Sequence, residues 1–175
     1  MNSKPELRFE LDPKLDTELQ EDLLELWTDV ANAGGAVGFV PPVTPNDVRQ
    51  TADIAFRRIR DGEDHLIVAF DDDRLVGFLF LEQRPGALFQ HWATIKRLQV
   101  HPTLQGTGLG GRLLEETHRL AETLGLEALH LTVRGGTGTE GFYERHGYET
   151  VARIPDVIRV APNDTRDELY MIKKL

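Results

Sequence analysis

The residues best spaced for chemistry lie between Leu98 and Leu114, where Leu-Gln-Val-His-Pro-Thr-Leu-Gln-Gly-Thr-Gly-Leu-Gly-Gly-Arg-Leu-Leu carries glycines at 106, 108, 110 and 111. An apolar strand ends at Pro102, a polar link follows, and the glycines lead directly into a leucine-rich helix. Glycine lets the backbone turn with positive φ and approach a ligand closely. The first turn of a helix adds free N–H groups at the positive end of its dipole. The combination is an anion cradle suited to a phosphate. The competing reading is a tight strand-to-helix turn that binds nothing, for which one glycine is enough.

Other chemistry-bearing groups are less promising. Asp71, Asp72 and Asp73 stand together, but no further acid follows at a ligand spacing, so they read as a solvated hairpin turn. The six histidines show no i, i+4 pairing with acids, and no metal is expected. With no cysteine, the chain has no disulfide, thiol nucleophile or cysteine-based zinc site, which fits a cytoplasmic protein.

The elements that must position the loop follow from periodicity. Residues 7–11 alternate as a half-buried strand, and residues 16–33 place Leu19, Leu23, Leu26, Trp27 and Val30 on one helical face. Trp27 reads as core. Residues 34–43 contain glycines and prolines and read as a loop. Thr44-Pro45-Asn46-Asp47 then starts a second helix that runs to about Arg60. Apolar runs at 66–70, 75–81 and 92–100 read as a three-strand antiparallel meander. A helix from Leu109 to Leu124 and a strand at 129–133 complete a right-handed βαβ unit. A short helix at 140–146, a strand at 148–154, a polar stretch at 155–167 and a last strand at 168–172 follow.

Gly106-Thr107-Gly108-Leu109-Gly110-Gly111 matches the dinucleotide pattern G-x-G-x-x-G. A dinucleotide fold needs several consecutive βα units, whereas only one crossover follows the loop here. Arg134 stands where an NAD enzyme wants an acid, so an NADP-type site is the surviving version. No Lys-Ser/Thr follows the glycines, which excludes a nucleotide P-loop.

Two motifs resemble those of the GNAT acyltransferase superfamily. Leu98-Gln99-Val100-His101-Pro102 with Gln105-Gly106-Thr107-Gly108-Leu109-Gly110 looks like its Q/R-x-x-G-x-G/A acetyl-CoA signature. Phe142-Tyr143-Glu144-Arg145-His146-Gly147-Tyr148 is similar to its F-Y-x-x-x-G-F/Y segment. The resemblance implies a single domain over residues 1–175 with a mixed α/β architecture. Its central sheet would have about seven strands in the order β-α-α-β-β-β-α-β-α-β-β, splayed between the fourth and fifth. It implies acetyl-CoA as acyl donor, bound by the backbone of Leu98, Gln99 and Val100 along the pantetheine and by Gln105, Gly106, Thr107, Gly108, Leu109, Gly110 and Gly111 around the pyrophosphate. Tyr143 matches the family tyrosine that protonates the departing thiolate. The implied activity is direct transfer of acetyl to a primary amine, the acceptor being a small molecule or a peptide. A homodimer is the assembly suggested by analogy with lookalike proteins.

The match departs from the family at two positions. Thr94 stands where many relatives carry a glutamate, and the base is unassigned among Glu82, His91 and Glu144. Gly136 replaces a common asparagine. Because three glycines in residues 134–139 exceed what a turn requires, that loop is expected to contact pantetheine or acceptor. Acceptor choice in the superfamily resides mainly in segments matching residues 34–43 and 155–167. The two departures leave room for a non-catalytic acyl-CoA sensor of the same fold.

Composition sets the outer bounds. At 175 residues the chain suits one domain, and no apolar run approaches the ~20 residues that cross a bilayer. Twenty basic and twenty-nine acidic residues give a formal charge of −9, which argues against nucleic-acid or anionic-membrane partners and is compatible with an amine.

Overall fold

Two helix starts show how local sequence sets the frame. The Asp16 carboxylate accepts from the Leu19 N–H at 3.1 Å and opens α1 (Thr17–Asn32). Thr44 and Asp47 form a capping box, with Pro45 at the first helical position of α2 (Pro45–Arg60). The computed structural model describes residues 7–175. The remaining elements are β1 (Leu7–Leu11), β2 (Asp64–Asp71), β3 (Arg74–Gln83), β4 (Trp92–Val100), α3 (Leu109–Thr123), β5 (Ala128–Arg134), α4 (Thr139–Glu144), β6 (Glu149–Ala161) and β7 (Asp164–Lys174). The element order is the one expected, and the strands form one seven-stranded sheet in the order β1-β2-β3-β4-β5-β7-β6.

β1 with β2, β2 with β3, β5 with β7, and β6 with β7 are antiparallel, whereas β4 and β5 are parallel. The parallel ladder pairs Trp92, Ala93 and Thr94 with Ala128, Leu129 and His130 and then ends. The expected splay takes this form: among the described residues, the rest of β4 has no β5 partner.

The chain divides into two compact units. One holds the residues up to Gln83 and Lys96–Thr117; the other holds Arg84–Ile95 and His118–Leu175. In the first, Trp27 is fully buried, as expected, among Leu23, Leu24, Phe56, Phe78 and Phe80. Its ring lies 6.0 Å from those of Phe78 and Phe80 in inclined aromatic contacts. Arg58 clamps Asp64 through two hydrogen bonds of 2.6 and 2.8 Å, so a buried carboxylate is paired rather than stranded.

In the second unit the polar stretch 155–167, expected as a connection, belongs to a long β6–β7 hairpin. Register shifts between Ile154 and Ile158 and between Arg159 and Ala161 absorb its irregular sequence, and Asp156 sits at φ 56. The Arg153 guanidinium donates to Asp167 at 2.7 Å, and the Thr165 hydroxyl donates to Asp156 at 2.7 Å. Side chains that looked loop-like by polarity therefore tie the hairpin together.

Candidate functional site

The glycine loop lies entirely in the first unit. After β4, Pro102–Leu104 makes one 3-10 turn. The Arg74 guanidinium donates to His101 Nε2 at 2.7 Å, and His101 Nδ1 is hydrogen-bonded with the Thr103 hydroxyl at 2.8 Å. The Gln105 amide donates to the Val100 carbonyl at 3.2 Å, and the Thr107 hydroxyl donates to the Leu104 carbonyl at 2.7 Å. Loop side chains thus brace the loop, together with the Gln105 and Thr107 backbone N–H groups, which donate to the Pro102 and Leu104 carbonyls.

Gly106 and Gly108 have φ of 79° and 91°, and a Cβ added at either would meet nothing within 4 Å. Backbone conformation, not crowding, requires glycine at these two positions. The Arg112 N–H donates to the Gly108 carbonyl at 3.2 Å. The N–H groups of Leu109, Gly110 and Gly111 precede it in the first turn of α3 and have no acceptor within the helix. Open glycines with positive φ and a fifteen-residue helix behind them fit a diphosphate.

Two neighbouring side chains in β4 escaped the sequence reading. Gln99 was expected to act through its backbone, yet its side chain is 2% exposed and neither Nε2 nor Oε1 has a partner. Arg97 has φ 56, a left-handed kink within the strand. Its guanidinium lies 5.6 Å from the Trp27 ring. Burial pushes it below its ordinary pKa, with Glu82 acting in the opposite direction. Among the described residues it makes no hydrogen bond and no ion pair. Lys96, Arg97 and Gln99 all interrupt the apolar positions of β4, so polarity in the sequence singles out neither Arg97 nor Gln99.

Tyr143 belongs to the second unit, on the short helix α4 begun by Gly138 at φ 77. Its side chain is buried against Phe142 and Tyr148, with ring centroids 5.0 and 5.6 Å away. Burial pushes the phenol well above its ordinary pKa, so the group keeps its proton at neutral pH. Its hydroxyl makes no hydrogen bond to a described residue. Tyr148 is raised likewise by burial. His118 is pushed down to about 4, chiefly by burial, so it is neutral at neutral pH, and its Nε2 is hydrogen-bonded with the Tyr148 hydroxyl at 3.0 Å.

The base candidates belong to different units. Glu82 is in the first unit, 3.2 Å from Lys96 Nζ. His91 is exposed in the second unit, with Nε2 accepting the Trp92 indole N–H at 2.6 Å. Glu144 is exposed there too. In the 134–139 loop each glycine has a local explanation. A Cβ on Gly135 would lie 3.3 Å from the Asp167 backbone oxygen, and Gly136 and Gly138 have φ of 78° and 77°. The glycine count there therefore needs no ligand to explain it.

Known proteins share the fold. A family model described as an acetyltransferase (GNAT) domain matches residues 42–156. A ribosomal-protein-alanine N-acetyltransferase from Brucella melitensis superposes with a TM-score of 0.74 at 21% identity, over 97% of this chain and 99% of that one. An N-acetyltransferase from Staphylococcus aureus Mu50 gives 0.77 at 14%, over 95% and 98%. The Salmonella typhimurium protein yncA, described as an acetyltransferase and solved with acetyl-CoA as its cofactor, gives 0.75 at 17%, over 97% and 94%.

Proposed function

The chain belongs to the GNAT acetyltransferase family, and from that premise we propose that it transfers acetyl from acetyl-CoA to a primary amine by direct attack. The observation that carries the reading is the loop from Gln105 to Gly111, whose positive-φ glycines and uncommitted first-turn N–H groups suit a pyrophosphate. Leu98, Gln99 and Val100 would run along the pantetheine as an added strand does. The amine nitrogen attacks the thioester carbon, the C–N bond forms and the C–S bond breaks. Tyr143 gives its proton to the departing thiolate, and the proton lost by the amine restores the phenol through water. The phenol carries a proton to give at neutral pH, while burial, by raising its pKa, makes it a weaker acid than a solvated tyrosine.

No carboxylate lies on β4, where Thr94 stands, and this favours as second reading an acyl-CoA sensor with the same fold. Thiol release from acetyl-CoA across a panel of amines and peptides separates the two. Release that depends on an amine supports the enzyme; saturable acetyl-CoA binding with no release on any acceptor supports the sensor.

A further inference from the structure

Arg97 is a cation whose desolvation is offset by no anion in contact. The first unit builds its surroundings from three elements: α1 through Trp27, the α1–α2 segment through Gly38, and β4 through the kink at Arg97 itself. Gly38 has φ 97, and a Cβ placed on it would lie 2.5, 2.7 and 2.9 Å from Arg97 Nη1, Cζ and Nη2. Nearly equal distances to all three atoms place the missing methyl over the guanidinium plane, not beyond its N–H edge. Trp27 presents its ring 5.6 Å from Cζ. The ring is fixed in turn, because its indole N–H donates to the Val37 carbonyl at 3.0 Å. Asn32 joins Val43 by two hydrogen bonds of 2.9 Å and ties down the far end of the same segment.

The guanidinium therefore has Gly38 over one face and the Trp27 ring within cation–π reach, while its N–H donors remain uncommitted among the described residues. Glu82, the carboxylate whose field reaches it, is 3.2 Å from Lys96 Nζ. A held, partly buried guanidinium with free donors matches an oxyanion that offers two oxygens, which it can engage through two parallel hydrogen bonds. The kink that sets it falls three residues after Thr94, where the β4–β5 ladder ends.

We propose that Arg97 is a specificity-determining residue on the acceptor side, and that the acceptor is an amine that also carries an oxyanion, a carboxylate or phosphonate. The assignment rests on the acetyl-transfer reading above. For an amino carboxylate it also fits the net charge of −9, since that acceptor is a zwitterion and not a net anion.

The test uses the full chain and thiol release from acetyl-CoA with matched amines: a 2-amino acid, its carboxamide, its phosphonate counterpart and a short peptide. The expected result is a kcat/KM at least about tenfold higher for the two oxyanion-bearing amines than for the carboxamide. Arg97→Gln should raise KM for the amino acid by about tenfold or more and leave that for acetyl-CoA within about twofold, with partial recovery in Arg97→Lys. Equal use of amino acid and carboxamide by the wild type overturns the proposal, as does an Arg97→Gln loss that is the same on both. Release that does not discriminate sinks the role of Arg97 alone; release with no amine sinks the transfer reading with it. If Arg97→Gln does not fold, the wild-type comparison decides.

Discussion

The two compact units hold different chemistry. The first offers the first-turn N–H groups of α3 behind Gly106 and Gly108 and an uncommitted guanidinium; the second offers hydroxyls and an imidazole whose pKa values burial shifts. On the proposed reading the first binds the anionic cofactor and the second supplies the proton. A substitution in one should therefore move a different kinetic constant from a substitution in the other.

The sharpest contrast is expected at Tyr143. Tyr143→Phe should lower kcat at least about tenfold, within the range general acid catalysis supplies, with KM for acetyl-CoA nearly unchanged. An unchanged kcat would remove the phenol from the mechanism. Gly108→Val should show the converse. Space is free there but φ is 91°, so the change forces strain of order 1–3 kcal/mol on the loop. It should raise KM for acetyl-CoA by roughly tenfold while kcat changes little. A pure kcat effect would break the contrast between the units.

Why the loop could be read from sequence and Arg97 could not is a matter of range. Glycine spacing encodes backbone conformation within a few residues, so 106 and 108 announce their positive φ. The uncommitted state of Arg97 depends on Trp27 and Gly38, about sixty to seventy residues away in the chain. Tyr143 was legible through its motif, but its raised pKa is a product of tertiary burial. Residues 155–167 read as a connection because apolar alternation marks only strands with a buried face. The β6–β7 hairpin is largely solvated, and its pairing rests on contacts such as Arg153 with Asp167.

Gln99 provides a smaller test within the first unit. Both amide atoms are buried without partners, an arrangement that costs about 1–3 kcal/mol. Gln99→Leu should therefore raise the denaturation midpoint; a fall would show that the amide is satisfied in solution.

The smallest effects concern pH, with opposite signs in the two units. His65, in the first, is raised above its ordinary value, chiefly by its hydrogen bond to Asp12 at 2.6 Å. Its contribution to stability is fully present below pH 6.5 and is lost as pH rises through the folded-state pKa. His118, in the second, is lowered to about 4, so its contribution is present above pH 6.5 and is lost as pH falls towards about 4. Melting curves should show Asp12→Asn costing more at acid than at alkaline pH. Replacing His118 with Gln should flatten the acid limb; the same slope in both proteins would remove His118 from it.

The central claim, direct acetyl transfer to an amine, is tested most directly by mass spectrometry of protein and acceptor after incubation with acetyl-CoA. The account predicts acetyl on the acceptor nitrogen in step with thiol release, and no acetylated protein when acceptor is omitted. Tight acetyl-CoA binding with no acetylated acceptor, or an acetylated protein that forms without acceptor and then transfers its acetyl group, would contradict it.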